Sequence, residues 1–362
     1  MRYQVFGNSG LKVSEFCLGA MTFGEEWGWG SAVAESRTVF DAFAEAGGNF
    51  IDTADVYTGG TSERLVGDFI RAERDHFVIA TKFTAAPRAG DPNAAGNSRK
   101  NMRRCLEASL QRLGTDYVDV YWVHAWDFLT PIEEVMQSFD DLVREGKVLY
   151  VGISDAPAWV ISRAQTLAEL RGRTPLAAIQ IPYSLSERGV EGEFFPMADA
   201  LDLAVCCWSP LDQGRLTGKF SRGDNVDSLR SRTHGGRIPE AKAPVIAELE
   251  AVAKELGCNP SQLALRWLRQ RSPRAIPILG ARTLAQARDN LGAVDVTIPA
   301  ELFERLERVS RPRLGFPHDL LASPAQTAFT YGGYLDRIDT VRPLPLRTVG
   351  EGGIESYVVE ED

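Results

Sequence analysis

Eight short apolar runs, each followed by an amphipathic stretch, recur along the chain, and this alternation constrains the fold more than any other feature. The runs are "EFCLGA" (15–20), "NFID" (49–52), "HFVIATK" (76–82), "YVDVYWVH" (117–124), "VLYVGIS" (148–154), "AAIQIPY" (177–183), "LAVCCWS" (203–209) and "AIPILG" (275–280). Helical patterns lie between them near 33–46, 62–72, 98–113, 132–145, 157–170 and 192–200, over 241–271 in two pieces, and at 283–291. Strands joined through helices pair in parallel, and strands covered on both faces read as nearly continuous β-branched runs. Eight such units predict an α/β fold of the (β/α)8 TIM-barrel kind rather than a doubly wound open sheet. The open-sheet nucleotide signature G-x-G-x-x-G is missing after the first run, as is a P-loop.

A barrel needs about 250 residues, so a chain of 362 carries additions. An N-terminal hairpin, "YQVFGNSGLKVS", is expected to turn at Asn8 to Gly10. The stretch from Leu211 to Arg237 reads as a long loop after the seventh strand, of the kind that serves a ligand. From Arg311 the chain is proline-punctuated and without steady period, and is expected to form an irregular extension lying across the barrel. Residues 1–335 are therefore assigned to one barrel domain and 336–362 to a partly disordered tail.

Composition removes several classes of function. A net charge of -9 argues against wholesale nucleic-acid binding, which rests on clustered Lys and Arg. The five basic residues between Arg99 and Arg112 fall mostly on one predicted helix and read as its solvated face. No run approaches the roughly 18 apolar residues of a membrane span, and "MRYQVFGNSG" lacks the apolar stretch of a secretory signal. The five cysteines, Cys17, Cys105, Cys206, Cys207 and Cys258, include no C-x-x-C spacing and suit a reducing compartment. A cytoplasmic location is expected.

In a barrel of this kind the chemistry sits at the C-terminal strand ends. Asp52 ends the second run, Lys82 the third and His124 the fourth, while Tyr57 follows Asp52 within "FIDTADVYTGG". Taken singly each has a structural explanation: a turn cap for Asp52, a snorkelling lysine, a half-buried histidine, a packed tyrosine. Asp55 reads as a loop carboxylate shaping the turn. Together the four make a proton donor. A phenol with pKa near ~10 is a weak acid, and a neighbouring ammonium is expected to lower that value. Asp52 would hold Lys82 charged and aimed, and neutral His124 would orient a carbonyl oxygen. None of these groups supplies hydride, so carbonyl reduction requires a cofactor. Other chemistries fit less well. His76, His124, His234 and His318 are too scattered for a metal centre, so none is expected. Asp127 and Asp212 follow the fourth and seventh runs as a glycosidase pair would, but each stands three residues past the strand end. Ser209, in "CCWSPLD", lacks the G-x-S-x-G elbow of a nucleophile.

The chain resembles the aldo-keto reductase superfamily, (β/α)8 barrels that reduce carbonyl compounds with NADPH, from about residue 1 to 335. The resemblance rests on "LGAMTFG" (18–24), "FIDTADVY" (50–57), "SERLVG" (62–67), "ATKF" (80–83), "LGTDYVDVYWVH" (113–124), "VLYVGISD" (148–155), "IQIPYSL" (179–185), "WSPLDQGRLTGK" (208–219) and "GARTLAQARDN" (280–290). It implies that Asp52, Tyr57, Lys82 and His124 form the catalytic tetrad, with Tyr57 as general acid. It also implies that Ser154 and Gln180 hold the nicotinamide carboxamide, that Trp208 flanks the nicotinamide, and that Thr22 and Phe23 lie nearer its ribose. Ser209, Leu211, Gly214 and Lys219 would line the pyrophosphate path. Gly280, Arg282, Gln286 and Asn290 would receive the adenosine end, with Arg282 forked around a 2′-phosphate, which favours NADPH/NADP+. Asp155 replaces an asparagine common in the family, and Asp289 a glutamate. Trp27, Trp29, Trp126 and Phe128 are candidates to wall a pocket for a small-molecule carbonyl substrate, and Arg215, Arg230 and Arg232 to meet phosphates. The resemblance leaves open a nicotinamide-binding regulatory subunit, as in potassium-channel β subunits, and does not fix an oligomeric state.

Overall fold

The computed structural model describes residues 1–85, 90–219 and 238–339. Two antiparallel strands, β1 (Tyr3–Val5) and β2 (Lys12–Ser14), form the expected hairpin. Eight parallel strands follow: β3 (Cys17–Gly19), β4 (Phe50–Asp52), β5 (Val78–Phe83), β6 (Val118–Val123), β7 (Val148–Ser154), β8 (Leu176–Pro182), β9 (Ala204–Trp208) and β10 (Ala275–Gly280). They close in chain order, with β10 pairing to β3. Each lies within one of the eight apolar runs or one residue beyond it.

The period of two along a strand sorts residues between the barrel interior and the helical shell. Phe50, Val78, Ala80, Val120, Trp122, Ala178, Ala204, Cys206 and Ile276 fill the interior cluster. Ile51, Ile79, Tyr121, Ile153, Ile179 and Val205 pack outward against the helices. Continued to the strand ends, the inward positions are Asp52, Lys82, His124, Ser154, Gln180, Trp208 and Gly280. Mostly polar groups thus replace apolar ones in the top interior layer, over an apolar floor. Trp122 fills that floor because its neighbour is Gly152, where a Cβ would stand 2.2 Å from the indole ring. From below, the hairpin's Phe6 inserts edge-on against Phe50 and Trp122. Asn8 ties the turn to the barrel by donating to the Leu176 carbonyl at 3.0 Å.

The shell helices are α1 (Val33–Glu45), α2 (Thr61–Ile70), α3 (Arg99–Leu113), α4 (Ile132–Arg144), α5 (Ala158–Arg171), α6 (Phe194–Leu201), α7 (Ala243–Leu256), α8 (Pro260–Arg271) and α9 (Leu284–Leu291). The basic face of α3 is not merely solvated: Arg99 and Arg103 pair with Asp141 and Glu145, and Arg112 with buried Glu63. Beyond the expected helices, α10 (Ala300–Ser310) packs on α7, where Arg305 reaches Glu248 at 2.7 Å and Glu255 at 2.8 Å. The extension is less irregular than its proline content predicts, forming α11 (His318–Leu321) and α12 (Pro324–Tyr331). Each starts just after or on a proline, a residue suited to a first helical turn because the N–H it lacks would be unpaired there. His318 Nε2 lies 2.9 Å from Glu193 beside the start of α6. Arg230, Arg232, the rest of the loop from 220 to 237 and the tail from 340 lie outside the described residues.

Candidate active site

The inward layer brings the four strand-end groups together. Lys82, fully buried, forms an ion pair with Asp52, donates to the Thr53 carbonyl at 2.9 Å and reaches the Tyr57 hydroxyl at 3.1 Å. Gln180 donates to the other Asp52 oxygen at 3.0 Å, so the carboxylate is held on both sides. The His124 ring stands edge-on to the Tyr57 ring, with centroids 5.7 Å apart. Burial works against the Lys82 ammonium, yet Asp52 and Tyr57 beside it raise its pKa above the ordinary lysine value. Burial first, and then Lys82, bring the His124 imidazole down to about 3, so it is neutral at physiological pH.

The phenol differs from expectation. Burial pushes Tyr57 above its ordinary pKa, and the pull of Lys82 in the other direction does not reverse it. The resting phenol therefore keeps its proton, and the ammonium acts on the phenolate that forms when the proton leaves.

The loop bearing Tyr57 is fixed by its neighbours. Thr58, at φ 47°, donates its hydroxyl to the Phe23 carbonyl at 2.6 Å, and Ser62 donates to the Ala20 carbonyl at 2.7 Å. Phe23 thus serves as an anchor: its ring is buried against Phe69 and lies away from the cleft expected to hold a cofactor. Asp55 is no ordinary turn carboxylate. It is buried, with the Cys105 thiol and the Val56 backbone N–H as its weak polar neighbours. Burial and nearby Glu63 raise it to about 7.

A cleft of about 850 Å³ runs across the strand ends from Tyr57 and His124 to Arg282 and Asn290. Thr22, Asp52, Ser154, Gln180, Trp208, Ser209, Leu211, Gly214, Lys219, Gly280 and Gln286 line it between those ends. A family model described as "Aldo/keto reductase family" matches residues 15–311. The chain belongs to the aldo/keto reductase family. Norsolorinic acid reductase stcV of Emericella nidulans is 37% identical over 329 residues, covering 88% of this chain and 84% of the relative. Aryl-alcohol dehydrogenase [NADP(+)] of Phanerodontia chrysosporium is 35% identical over 340 residues, 87% of each chain. Putative aryl-alcohol dehydrogenase AAD14 of Saccharomyces cerevisiae is 34% identical over 335 residues, 88% of this chain and 89% of the relative.

The residues present suit the family's dinucleotide. At the far end of the cleft Arg282 stands just before the N-terminal turn of α9, and Lys219 lines the same cleft; neither is in an ion pair among the described residues. That turn is capped by Thr283, and Glu35 accepts from Leu284 N at 2.7 Å. Gln180, whose amide N–H donates to Asp52, lines the cleft beside Ser154. Asp155 turns its carboxylate to the Trp208 indole N–H at 3.0 Å, and its φ of 45° suits an Asp or Asn. Asp289 is drawn to Asn259 and Gln262 on and before α8. The cleft residues Asn259, Pro260 and Ser261 were not foreseen. Their signal is "NPSQ", an N-cap with proline at the first turn and glutamine two residues later, where Gln262 accepts from Asn259 N at 3.2 Å.

Of the substrate candidates, Trp29 lines the cleft, and Trp27 bridges it to Tyr57 with centroids 5.4 and 6.2 Å away. Trp126 packs on the core, and Phe128 is 71% exposed; neither lines the cleft. Arg215 is paired to Asp212 at 3.0 Å. The glycosidase pair dissolves. Asp127 is taken up by Asn97 N at 2.7 Å and Thr130 N at 2.9 Å, and Asp212 by Arg215 and Lys242, each at 3.0 Å.

Proposed function

We propose that this aldo/keto reductase reduces an aromatic aldehyde or ketone to the alcohol with NADPH, Tyr57 delivering the proton. NADPH supplies the hydride when bound. The observation that carries the reading is the contact of the buried Lys82 ammonium with the Tyr57 phenol at 3.1 Å. A carbonyl oxygen gaining negative charge needs a donor that strengthens as the charge grows. Tyr57, protonated at rest, is that donor, and Lys82 stabilises the phenolate left behind. Asp52 and the Thr53 carbonyl occupy the rest of the ammonium, which fixes its direction. Neutral His124 adds a second polar group at the same oxygen without competing for the proton.

An aromatic substrate is supported by the Trp27–Trp29 pair beside Tyr57, since offset and edge contacts between rings favour planar partners. Relatives named for norsolorinic acid and aryl alcohols agree with this class. Lys219 and Arg282 meet the phosphates, and Arg282 reads the 2′-phosphate. The purified protein, incubated with NADPH and a panel of aryl aldehydes, ketosugars and polycyclic ketones, should consume the reduced nicotinamide with the aromatic members. Tyr57→Phe should lower turnover by about 10²–10⁴ while still quenching NADPH fluorescence. Turnover equal to the parent contradicts the assignment, and no turnover on any carbonyl would favour a nicotinamide-binding regulatory role.

A further inference from the structure

The charges along the cleft are not evenly compensated. At the Tyr57 end, Asp52 is neutralised by Lys82. Asp155 lines the same end, yet among the described residues it belongs to no ion pair; its side-chain partner is the neutral indole of Trp208, at 3.0 Å. Its backbone is fixed on both sides, the N–H donating to the Gln180 carbonyl and the carbonyl accepting from Trp126 N, each at 3.2 Å. The carboxylate is thus held on the wall shared by Ser154, Gln180 and Trp208. The opposite end carries Arg282, and Lys219 also lines the cleft. Asp289 stands at that far end too, held by the neutral side chains of Asn259 and Gln262, so Asp155 is the carboxylate without an ion pair on the Tyr57 side of the cleft.

We propose that Asp155 makes the cleft discriminate between the two redox states of the nicotinamide, holding cationic NADP+ more tightly than an amide at this position would and leaving neutral NADPH almost unaffected. The inference rests on the dinucleotide reading above. Both forms share phosphates, ribose and adenine, so contacts at the far end cancel in the ratio of their affinities. They differ in the ring's positive charge, and a carboxylate whose neighbouring ammonium, Lys82, is already paired with Asp52 acts on that difference once the bound ligand excludes water. A hydrogen bond from the carboxamide to Asp155 would exist in both states and would not alter the ratio. Asp155 is in this sense a positioning and selecting residue rather than a catalytic one.

The test is titration of the parent and Asp155→Asn with NADP+ and, separately, with NADPH, followed by tryptophan fluorescence or calorimetry. Asparagine accepts the Trp208 hydrogen bond and tolerates the positive φ, so the substitution removes charge with little change of shape. NADP+ affinity should fall on the order of tenfold relative to NADPH affinity, the lower range for an opposite charge nearby. An unchanged ratio overturns the inference even if both affinities drop together. Asp155→Ser, measured the same way, serves if Asp155→Asn binds neither form. A parent protein that binds neither form overturns the dinucleotide reading itself, and this inference with it.

Discussion

Lys82 approaches the Tyr57 phenol at 3.1 Å while its remaining hydrogen bonds go to Asp52 and the Thr53 carbonyl, so one buried ammonium ties a strand end to the loop that follows it. Lys82→Met removes that tie and leaves the Asp52 carboxylate buried without its counter-ion. Breaking a buried pair from one side destabilises by about 3–5 kcal/mol. Urea unfolding should show this loss, and Asp52→Asn added to Lys82→Met should restore much of the stability but none of the turnover. Full recovery of turnover in the double variant would deny Lys82 its role at Tyr57.

Asp55 makes stability depend on pH. Its carboxyl is raised from 3.8 to about 7 by burial and by Glu63, so the folded state binds a proton that the unfolded chain releases. By linkage, stability present below about pH 4 is lost as pH rises toward 7 and then levels off, on the order of 4 kcal/mol at most. Glu63 of α2, Cys105 and Arg112 of α3 and Tyr121 of β6 are charged or titratable side chains around it. Asp55→Asn should flatten this decline, giving a smaller drop in denaturant midpoint between pH 5 and 8. The same slope in both proteins would place the titration elsewhere.

Arg282→Ala should weaken NADPH by about 1.5–3 kcal/mol, the scale of a hydrogen bond to a charged group. NADH, without the 2′-phosphate, should change little. Parallel loss for both cofactors would move the 2′-phosphate contact to another residue, with Lys219 the next candidate.

Trp29→Ala tests the aromatic wall. Aromatic pairs contribute about 0.5–1.5 kcal/mol beyond buried area. The ratio of kcat/KM for an aryl aldehyde to that for an aliphatic aldehyde should therefore fall by about two- to tenfold. An equal decrease for both would assign Trp29 to packing of the barrel mouth.

Much of this protein was legible along the chain because strand residues alternate sides with a period of two. Given eight apolar runs, Asp52, Lys82 and His124 were already placed at the C-terminal strand ends, and Gly280 on the same rim before α9. Sequence by itself determined the barrel, its order and the rim positions of the candidate chemistry. Barrel closure decided which rim groups touch: Gln180 bonds to Asp52 across 128 residues, and Asp155 to Trp208 across 53. Burial decided their electrostatics, turning Asp55 into a high-pKa acid and leaving Tyr57 protonated despite Lys82. Periodicity is a local property of the backbone. Desolvation and partner choice depend on what the rest of the chain brings alongside, which only the folded structure contains.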